Sequence, residues 1–131
     1  MTATRDPPCP CGLPQPYAHC CGRWHAGPLY LQAPDALALM RSRYSAYVLG
    51  QHGYLLATWH PRTRPAAIEA DPTGLRWLGL EVKRHHAPDD KHATVEFVAR
   101  HKLGGRAQRL QELSRFERVE GLWLYVDGQT P

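Results

Sequence analysis

Residues 94–118 read TVEFVARHKLGGRAQRLQELSRFER. From Thr94 to His101 the residues alternate, with Val95, Phe97 and Ala99 on one face, which is the period of a half-buried β-strand. The glycine pair at 104–105 is a typical hairpin turn. The second half, Arg106–Arg118, also fits a helical spacing, but hairpin signals bound it on both sides and favour a strand. The stretch therefore predicts a long antiparallel hairpin.

Two further strands flank this hairpin. The alternation from Trp77 to His86 predicts one, and Leu122 to Asp127 predicts the other. Glu120-Gly121 supplies the last turn. The chain therefore carries four consecutive strands in its second half.

Helical spacing marks the first half of the chain. A helix begins after the possible cap Asp35 and stops at Gly50, and Tyr54 to Trp59 predicts a second, short helix. The first helix has an apolar stripe formed by Leu37, Met40, Tyr44, Tyr47 and Val48. Helices followed by four meander strands predict an α+β fold, with the first helix covering the apolar face of the sheet. Residues 61–72 contain three prolines and predict an irregular connection.

Composition excludes several classes of protein. The chain has 131 residues, 43% hydrophobic and 21% charged, which argues against a disordered chain. The net charge, 16 − 12 = +4, is too small for a polybasic nucleic-acid tail. No apolar run reaches the roughly 18 residues of a membrane helix. The N-terminal residues lack an apolar core, so we expect no signal peptide and a cytoplasmic location.

All four cysteines lie within 13 residues, at Cys9, Cys11, Cys20 and Cys21. Such clustering argues against a disulfide framework, and the C-x-x-C spacing of redox sites is absent. In an extended stretch Cys9 and Cys11 point to the same side and can face one ion. Four sulfurs about 2.3 Å from Zn²⁺ form a closed, structural site. We therefore predict one structural zinc ion per chain.

The fourth zinc ligand has two candidates. Cys20 and Cys21 are adjacent in sequence, and adjacent side chains do not naturally converge on one point. If Cys21 faces away, His25 is the alternative ligand through its neutral imidazole.

The cysteine segment resembles the SEC-C motif, which binds zinc at the C-terminal end of the SecA translocation ATPase. The resemblance is carried by Cys9-Pro-Cys-Gly12, Tyr17, Cys20-Cys-Gly22 and His25. It implies that Cys9, Cys11, Cys20 and Cys21 are the ligands. The motif usually continues with Gly-Ser-Gly, whereas Gly12 is followed here by Leu13-Pro14, which implies a different loop backbone.

The whole chain is similar to the small bacterial YchJ-type proteins. The matching motifs are Arg41-Ser-Arg-Tyr-Ser-Ala-Tyr47, Thr58-Trp-His-Pro61, Glu112-Leu-Ser-Arg-Phe116 and Gly121-Leu-Trp-Leu-Tyr125. The resemblance implies a SEC-C zinc knuckle over residues 1–27 and a nuclear-transport-factor-2-like domain over residues 28–131. In that fold a curved four-stranded antiparallel sheet forms a cone packed on the helices. The resemblance implies no reaction and no catalytic residue.

One carboxylate interrupts the inward face of the third strand. Glu112 and Ser114 alternate with Phe116, so we expect both to point inward. A buried carboxylate costs several kcal/mol unless it is paired. Either Arg41 or Arg43 of the first helix pairs with Glu112, or the cone holds a wet pocket near these four polar residues.

No catalytic residue is predicted. His85 and His86 are adjacent on a strand and face opposite sides, and no nucleophile pattern, phosphate loop or paired-carboxylate signature is visible. The expectation therefore leans away from an enzyme.

Two function classes remain open. The first is a protein-interaction module whose knuckle docks on a protein or ribosomal partner, as the similar motif of SecA contacts a chaperone. The alternative is a small-molecule-binding protein or enzyme that uses the interior of the cone. Nucleic acid has weak support, because Glu96 and Glu117 interleave with the basic residues near Arg100. No membrane partner is expected.

Overall fold

The computed structural model describes residues 7–131. Residues 1–6, which include the start of the predicted knuckle and most of the stretch used to exclude a signal peptide, lie outside the described residues. A short 3₁₀ turn, Tyr17–His19, precedes the helices α1 (Gly22–His25), α2 (Ala36–Leu49) and α3 (His52–Ala57). The strands are β1 (Arg76–His86), β2 (His92–Leu103), β3 (Arg106–Val119) and β4 (Leu122–Gln129). The α+β fold, including the ambiguous third strand, is confirmed.

Helix α2 begins and ends where the sequence predicts. The Asp35 side chain accepts a hydrogen bond of 2.7 Å from the Ala38 N–H, which satisfies a donor that the helix itself leaves free. Gly50 ends the helix with φ +70°, a left-handed conformation that glycine adopts without strain.

Helix α2 is buried on more than one side. The predicted apolar stripe packs in the core, but Arg43 and Ser45, which lie off that stripe, are buried as well. The reason is that α2 contacts the sheet and also contacts α1 and α3. An amphipathic pattern predicts only one covered face, so it underestimates how much of this helix is buried.

The four strands form one antiparallel sheet in the order β1-β2-β3-β4. The longest pairing joins β2 to β3, from His92↔Glu117 to Leu103↔Arg106, around the predicted glycine turn. Register shifts in β1 and in the β3–β4 pairing, where Val126 of β4 is the extra residue, bend the strands. Because β1, β2 and β4 all contact α2, the sheet must curl around that helix, and this gives the cone.

The end of α3 closes the cone. Tyr125 of β4 donates its N–H to the Thr58 carbonyl at 2.8 Å, and its own carbonyl accepts from the His60 N–H at 2.7 Å. These bonds pin β4 to the connection that the sequence predicts after the second helix. No helix in the described part of the chain is long and apolar enough to cross a membrane.

Candidate metal centre and cone pocket

The four cysteine sulfurs converge on one point. Their Sγ atoms all lie within 4.8 Å of one another, and all four residues are buried. The Sγ atoms of Cys11 and Cys20 are 3.7 Å apart. Four sulfurs at about 2.3 Å from a tetrahedral ion lie about 3.8 Å from each other, so the cluster has the dimensions of a four-thiolate metal site.

An unusual backbone conformation lets the adjacent cysteines converge. Cys20 has φ −129° and ψ −119°, outside the helical and extended regions, and Cys21 then opens α1 in a helical conformation. Gly22 follows because a Cβ at this position would lie 2.7 Å from the Tyr17 carbonyl oxygen. This turn therefore lets the side chains of Cys20 and Cys21 point toward the same cluster although they are adjacent in sequence.

His25 is occupied away from the sulfur cluster. Its Nε2 lies 2.8 Å from the Ser42 carbonyl oxygen, and its Nδ1 lies 2.5 Å from the Tyr17 hydroxyl. A carbonyl only accepts, so Nε2 carries the proton and the neutral ring accepts the Tyr17 O–H at Nδ1. Burial lowers the pKa of His25, which favours this neutral form. The geometry therefore favours Cys21 over His25 as the fourth ligand.

The thiols of Cys11, Cys20 and Cys21 influence one another's ionisation. A hydrogen bond from Cys21 lowers the pKa of Cys11 to about 5. Burial raises the pKa of Cys20 to about 12, and the pKa of Cys21 is raised because its proton bonds to Cys11. A bound dication would stabilise the neighbouring thiolates together, because metal-bound thiols are deprotonated. The donor set thus fits a metal ion.

The surroundings of the cluster come from α1 and α2. Ser45 Oγ lies 3.6 Å from Cys9 Sγ. Arg41 donates from Nη1 to the Cys11 carbonyl at 3.2 Å, and Arg23 donates from Nε to the Cys20 carbonyl at 3.0 Å. Four thiolates around a dication carry a net charge of about −2, which these two guanidinium groups would balance.

Arg41 therefore contacts the cysteine segment and not Glu112, the predicted partner. The sequence offers it as a partner for Glu112, but it bonds to the knuckle and does not line the pocket. Helical rotation explains this, because Arg41 and Arg43 are two residues apart and point in different directions from α2.

A pocket of about 300 Å³ lies between α2 and the inner face of the sheet. Its walls are largely aromatic and include Tyr44, Tyr47, Trp77, Phe97, Phe116 and Tyr125. Three predicted residues, Arg43, Glu112 and Ser114, line it together with Asp71. The cone is therefore not filled by its own side chains.

Glu112 points inward, as the strand alternation predicts, but its partners differ from those expected. Ser114 Oγ and the Tyr125 hydroxyl donate to its Oε1 at 2.8 and 3.2 Å. Among residues 7–131, neither Arg41 nor Arg43 forms a salt bridge with it. The predicted ion pair is wrong because the pocket lies between the two elements and hydroxyl groups on the same sheet bond to Oε1 of the carboxylate instead.

Arg43 is held by neutral groups instead. It is only 5% exposed and donates from Nη1 to the Leu55 carbonyl at 2.8 Å and to Thr58 Oγ1 at 2.7 Å. Its guanidinium carbon lies 4.8 Å from the Trp59 ring centre and 4.5 Å from that of Tyr125. Burial lowers the pKa of Arg43 to about 10, so the side chain remains charged at neutral pH.

Sequence reasoning missed two groups at the pocket. Asp71 lies in the segment treated as an irregular connection, yet its Oδ2 accepts a 3.0 Å hydrogen bond from Trp77 Nε1. The alternation predicts Trp77 only as the start of a strand, and it lies in β1. In the sequence, the pocket is indicated only by an acidic residue a few positions before a strand that begins with an aromatic residue. This pattern is too common to identify a binding site.

The family model described as "YchJ, middle NTF2-like domain" matches residues 35–128. The chain belongs to the YchJ family. Family membership confirms the resemblance and agrees with the observed cone, since the matched range runs from the cap of α2 to the penultimate residue of β4.

Similar YchJ-family proteins carry the name UPF0225. One from Bordetella pertussis is 62% identical over 120 residues, which is 92% of this chain and 90% of that protein. Another, from Methylibium petroleiphilum, is 62% identical over 122 residues, covering 93% of this chain and 88% of the relative.

Two solved structures are similar over most of the chain. The solution structure of a SEC-C motif containing protein from Rhodopseudomonas palustris has a TM-score of 0.80 at 32% identity. It covers 95% of this chain and 98% of that one. The crystal structure of a SEC-C motif containing protein from Psychrobacter arcticus has a TM-score of 0.75 at 32% identity, covering 92% and 80% of the two chains. The SEC-C likeness supports metal binding by the cysteine cluster.

The division of this YchJ-family chain at residues 27 and 28 stays a prediction. Contacts cross that boundary, since His25 bonds to Ser42 and Cys9 contacts Ser45. The knuckle is therefore packed on α2 rather than tethered by a free linker.

Proposed function

We propose that this protein binds a small organic molecule in its cone, and that a zinc-loaded knuckle braces the helix that forms one wall of the pocket. The open pocket of about 300 Å³ carries this proposal. It lies at the lower end of the range typical of small-molecule sites, which are mostly apolar with a few oriented polar groups. Glu112 is such a group, because both of its hydrogen bonds from the described residues go to Oε1 and leave Oε2 for a ligand.

Zinc is the metal we propose for the four cysteines. A tetrahedral set of thiolates is typical of structural Zn²⁺ and leaves no open position for a reactant. The ion would stabilise the loops that carry Cys9, Cys11, Cys20 and Cys21, and through Ser45 and Arg41 it would hold them on α2. The cytoplasmic location expected from the sequence suits this role, because a reducing compartment keeps the thiolates available.

Binding rather than catalysis suits the groups that line the pocket. Among the described residues, no histidine or cysteine lines it, and Ser114 donates its hydroxyl proton to Glu112. Glu112 accepts the Ser114 hydroxyl, but a serine nucleophile also needs hydrogen-bond donors oriented toward the oxyanion. Arg43, the cationic group of the described lining, already donates to Leu55 and Thr58.

A fragment screen tests the proposed ligand binding. We would titrate the full-length, zinc-loaded chain with neutral, anionic and cationic fragments and follow amide NMR signals of Ala99 and Phe116, which line the pocket. Leu110→Trp should weaken binding, because Leu110 lines the pocket and is 42% exposed, so the larger ring would obstruct the entrance. Leu78→Trp is the matched control, since Leu78 is exposed and does not line the pocket. A screen in which no fragment shifts these signals would contradict the proposal.

A second candidate function is docking of the knuckle on a protein partner. Leu29 and Tyr30, directly after the knuckle, are 47% and 41% exposed, which is a suitable apolar contact for a partner. Full-length chain and a Leu29→Ser/Tyr30→Ser variant would be compared as baits in bacterial lysate. A protein or ribosomal component retained only by the unmodified chain supports docking, provided both baits contain the same amount of metal. Identical captured proteins would contradict docking through this surface.

A further inference from the structure

We propose that the ligand of the pocket is a small organic ammonium ion, held between the Glu112 carboxylate and the faces of an aromatic corner. The inference rests on the proposed ligand binding and adds the charge class of the ligand. The aromatic corner consists of Tyr44 and Tyr47 from α2 and Trp77 from β1.

The aromatic corner is built from rings in mutual contact. The ring centres of Tyr44 and Trp77 are 5.6 Å apart at an interplanar angle of 77°. Those of Tyr47 and Trp77 are 6.2 Å apart at 46°. All three rings line the same pocket, so they present π surface to its interior. A cation within about 6 Å of such a ring face is attracted by the ring quadrupole.

The charges around the pocket favour a cationic ligand. Its ionisable lining groups are Glu112, Asp71 and Arg43, so the lining carries a net charge of 1 − 2 = −1. Burial raises the pKa of the Tyr47 phenol, and the nearby Glu112 and Asp71 carboxylates raise it further while Arg43 lowers it. All three charges therefore act at the aromatic corner.

The single cation of the lining is committed to the protein. Arg43 donates from Nη1 to two oxygen atoms, and the Trp59 and Tyr125 rings lie against its guanidinium group. Glu112, in contrast, accepts only hydroxyl hydrogen bonds, and only at Oε1. A half-buried carboxylate without a cationic partner is costly, and an ammonium ligand would supply that partner. An anionic ligand would instead meet two carboxylates.

Three probes of similar shape separate charge from size. Choline is the cation, 3,3-dimethyl-1-butanol is its neutral analogue, and 3,3-dimethylbutanoate is an anionic analogue. Each would be titrated into the full-length, zinc-loaded chain, with the NMR signals of the Trp77 indole and the Ala99 amide as readout. We expect choline to bind about tenfold more tightly than the neutral alcohol, which corresponds to about 1.4 kcal/mol.

Matched variants assign the preference to the pocket. Glu112→Gln keeps an acceptor for Ser114 and Tyr125 but removes the charge, so the preference for choline should disappear. Glu96→Gln removes the same charge from the other face of the sheet and should leave the preference unchanged, since Glu96 bonds to Gln111 there. Should Glu112→Gln fail to fold, Asp71→Asn at the pocket should still lower choline affinity severalfold.

The outcomes distinguish this inference from the proposed function. Equal or tighter binding of the neutral or anionic probe would overturn the ammonium inference and leave ligand binding intact. Failure of all three probes, with other fragments bound in the pocket, would overturn the inference in the same way. A fragment screen without any binding at Ala99 and Phe116 would overturn the proposed function as well.

Discussion

The Glu112 side chain occupies the place where any residue other than glycine at position 128 would put its Cβ. A Cβ built on Gly128 would overlap the Glu112 carboxyl group and lie 2.8 Å from its Cγ. Gly128 has no left-handed backbone that would require glycine, so its role is to leave room. Because Gly128 has no side chain, the Glu112 side chain packs directly against β4. Tyr125 of the same strand donates to the Glu112 carboxylate.

Gly128→Ala should destabilise the protein and displace Glu112. Overpacking of this kind costs about 1–3 kcal/mol, which urea denaturation would measure as a loss in the free energy of unfolding. Gly53→Ala in α3 is the matched control, since a Cβ there meets nothing within 4 Å. That change should be neutral or stabilise the protein by up to about 1 kcal/mol, because alanine favours helix.

A double variant identifies the clash as the cause. With Glu112→Ala in the background, Gly128→Ala should cost almost nothing, giving a coupling energy of at least about 1 kcal/mol. Additive effects of the two changes would show that Glu112 does not contact Gly128.

Two substitutions separate the candidates for the fourth ligand of the proposed zinc site. Cys21→Ser should strongly weaken zinc binding, whereas His25→Gln should leave one zinc ion per chain, as measured by elemental analysis and competition with a chelator. His25→Gln should still cost about 1–3 kcal/mol of stability, because the buried Ser42 carbonyl loses its donor and the Tyr17 hydroxyl keeps only its bond from Gln51. If His25→Gln lost zinc and Cys21→Ser did not, His25 would be the fourth ligand. If the unmodified protein, purified without chelator, contained no zinc, the proposed site would be refuted.

Removal of the metal should unfold the knuckle and leave the sheet folded. Residues 7–27 bury too little apolar surface to order themselves, so metal binding supplies their folding free energy. In the presence of chelator, NMR dispersion should be lost before about residue 28, and the signals of Ser42 and Ser45 should shift because they contact the knuckle. Collapse of the β2 and β3 signals would show instead that knuckle and cone fold as one unit.

Arg43→Lys should be strongly destabilising although it keeps the charge. A lysine cannot reproduce the planar contact with the Trp59 and Tyr125 rings, and it would lose part of the hydrogen bonding to Leu55 and Thr58. We expect a loss of about 2–4 kcal/mol in the free energy of unfolding. Arg41→Lys is the control and should cost less than about 1 kcal/mol, because this partly exposed side chain makes one hydrogen bond. Equal effects at both positions would contradict the role given to the aromatic rings.

The ion pair between Arg115 and Asp127 predicts a pH dependence. Arg115 donates from Nε and Nη2 to the two carboxylate oxygens of Asp127 and holds the pKa of that carboxyl below its ordinary value. A depressed folded-state pKa contributes stability at neutral pH that is lost as the pH falls below about 4. Asp127→Asn should therefore lower stability by no more than about 1 kcal/mol at pH 6 and by less near pH 2, since the pair is exposed. Urea titrations at both pH values measure this, and a difference of the same size at pH 2 would rule out the ion pair as its source.

Local patterns predict much of this fold. Asp35 and Gly50 mark the ends of α2, and the alternation around Glu112 places that carboxylate correctly on the inner face. These features depend on neighbours in sequence, where spacing determines direction. The clustering of the four cysteines likewise indicates a metal site, because they close a loop of only 13 residues.

Long-range relationships escape such patterns. Arg43 and Glu112 have opposite charge and both lie inside the cone, yet the observed partners of Glu112 are hydroxyl groups on its own sheet. Which arginine reaches which element depends on how far the sheet curls, and that follows from bulges rather than from local spacing. Gly128 carries no pattern at all, because its function depends on a side chain sixteen residues earlier on the neighbouring strand.

The hydrogen bonds between Thr58, His60 and Tyr125 have a consequence for the order of folding. Every strand pairs with its sequence neighbour, so the hairpins can form through short loops, whereas Trp59 and Tyr125 must close a loop of more than sixty residues. Contacts of such separation form late, since the entropy of loop closure opposes them. On the ribosome, the four cysteines emerge long before β4 does. The cone pocket is then the last part of the molecule to form, and a nascent chain that already has its complete cysteine cluster still has no pocket.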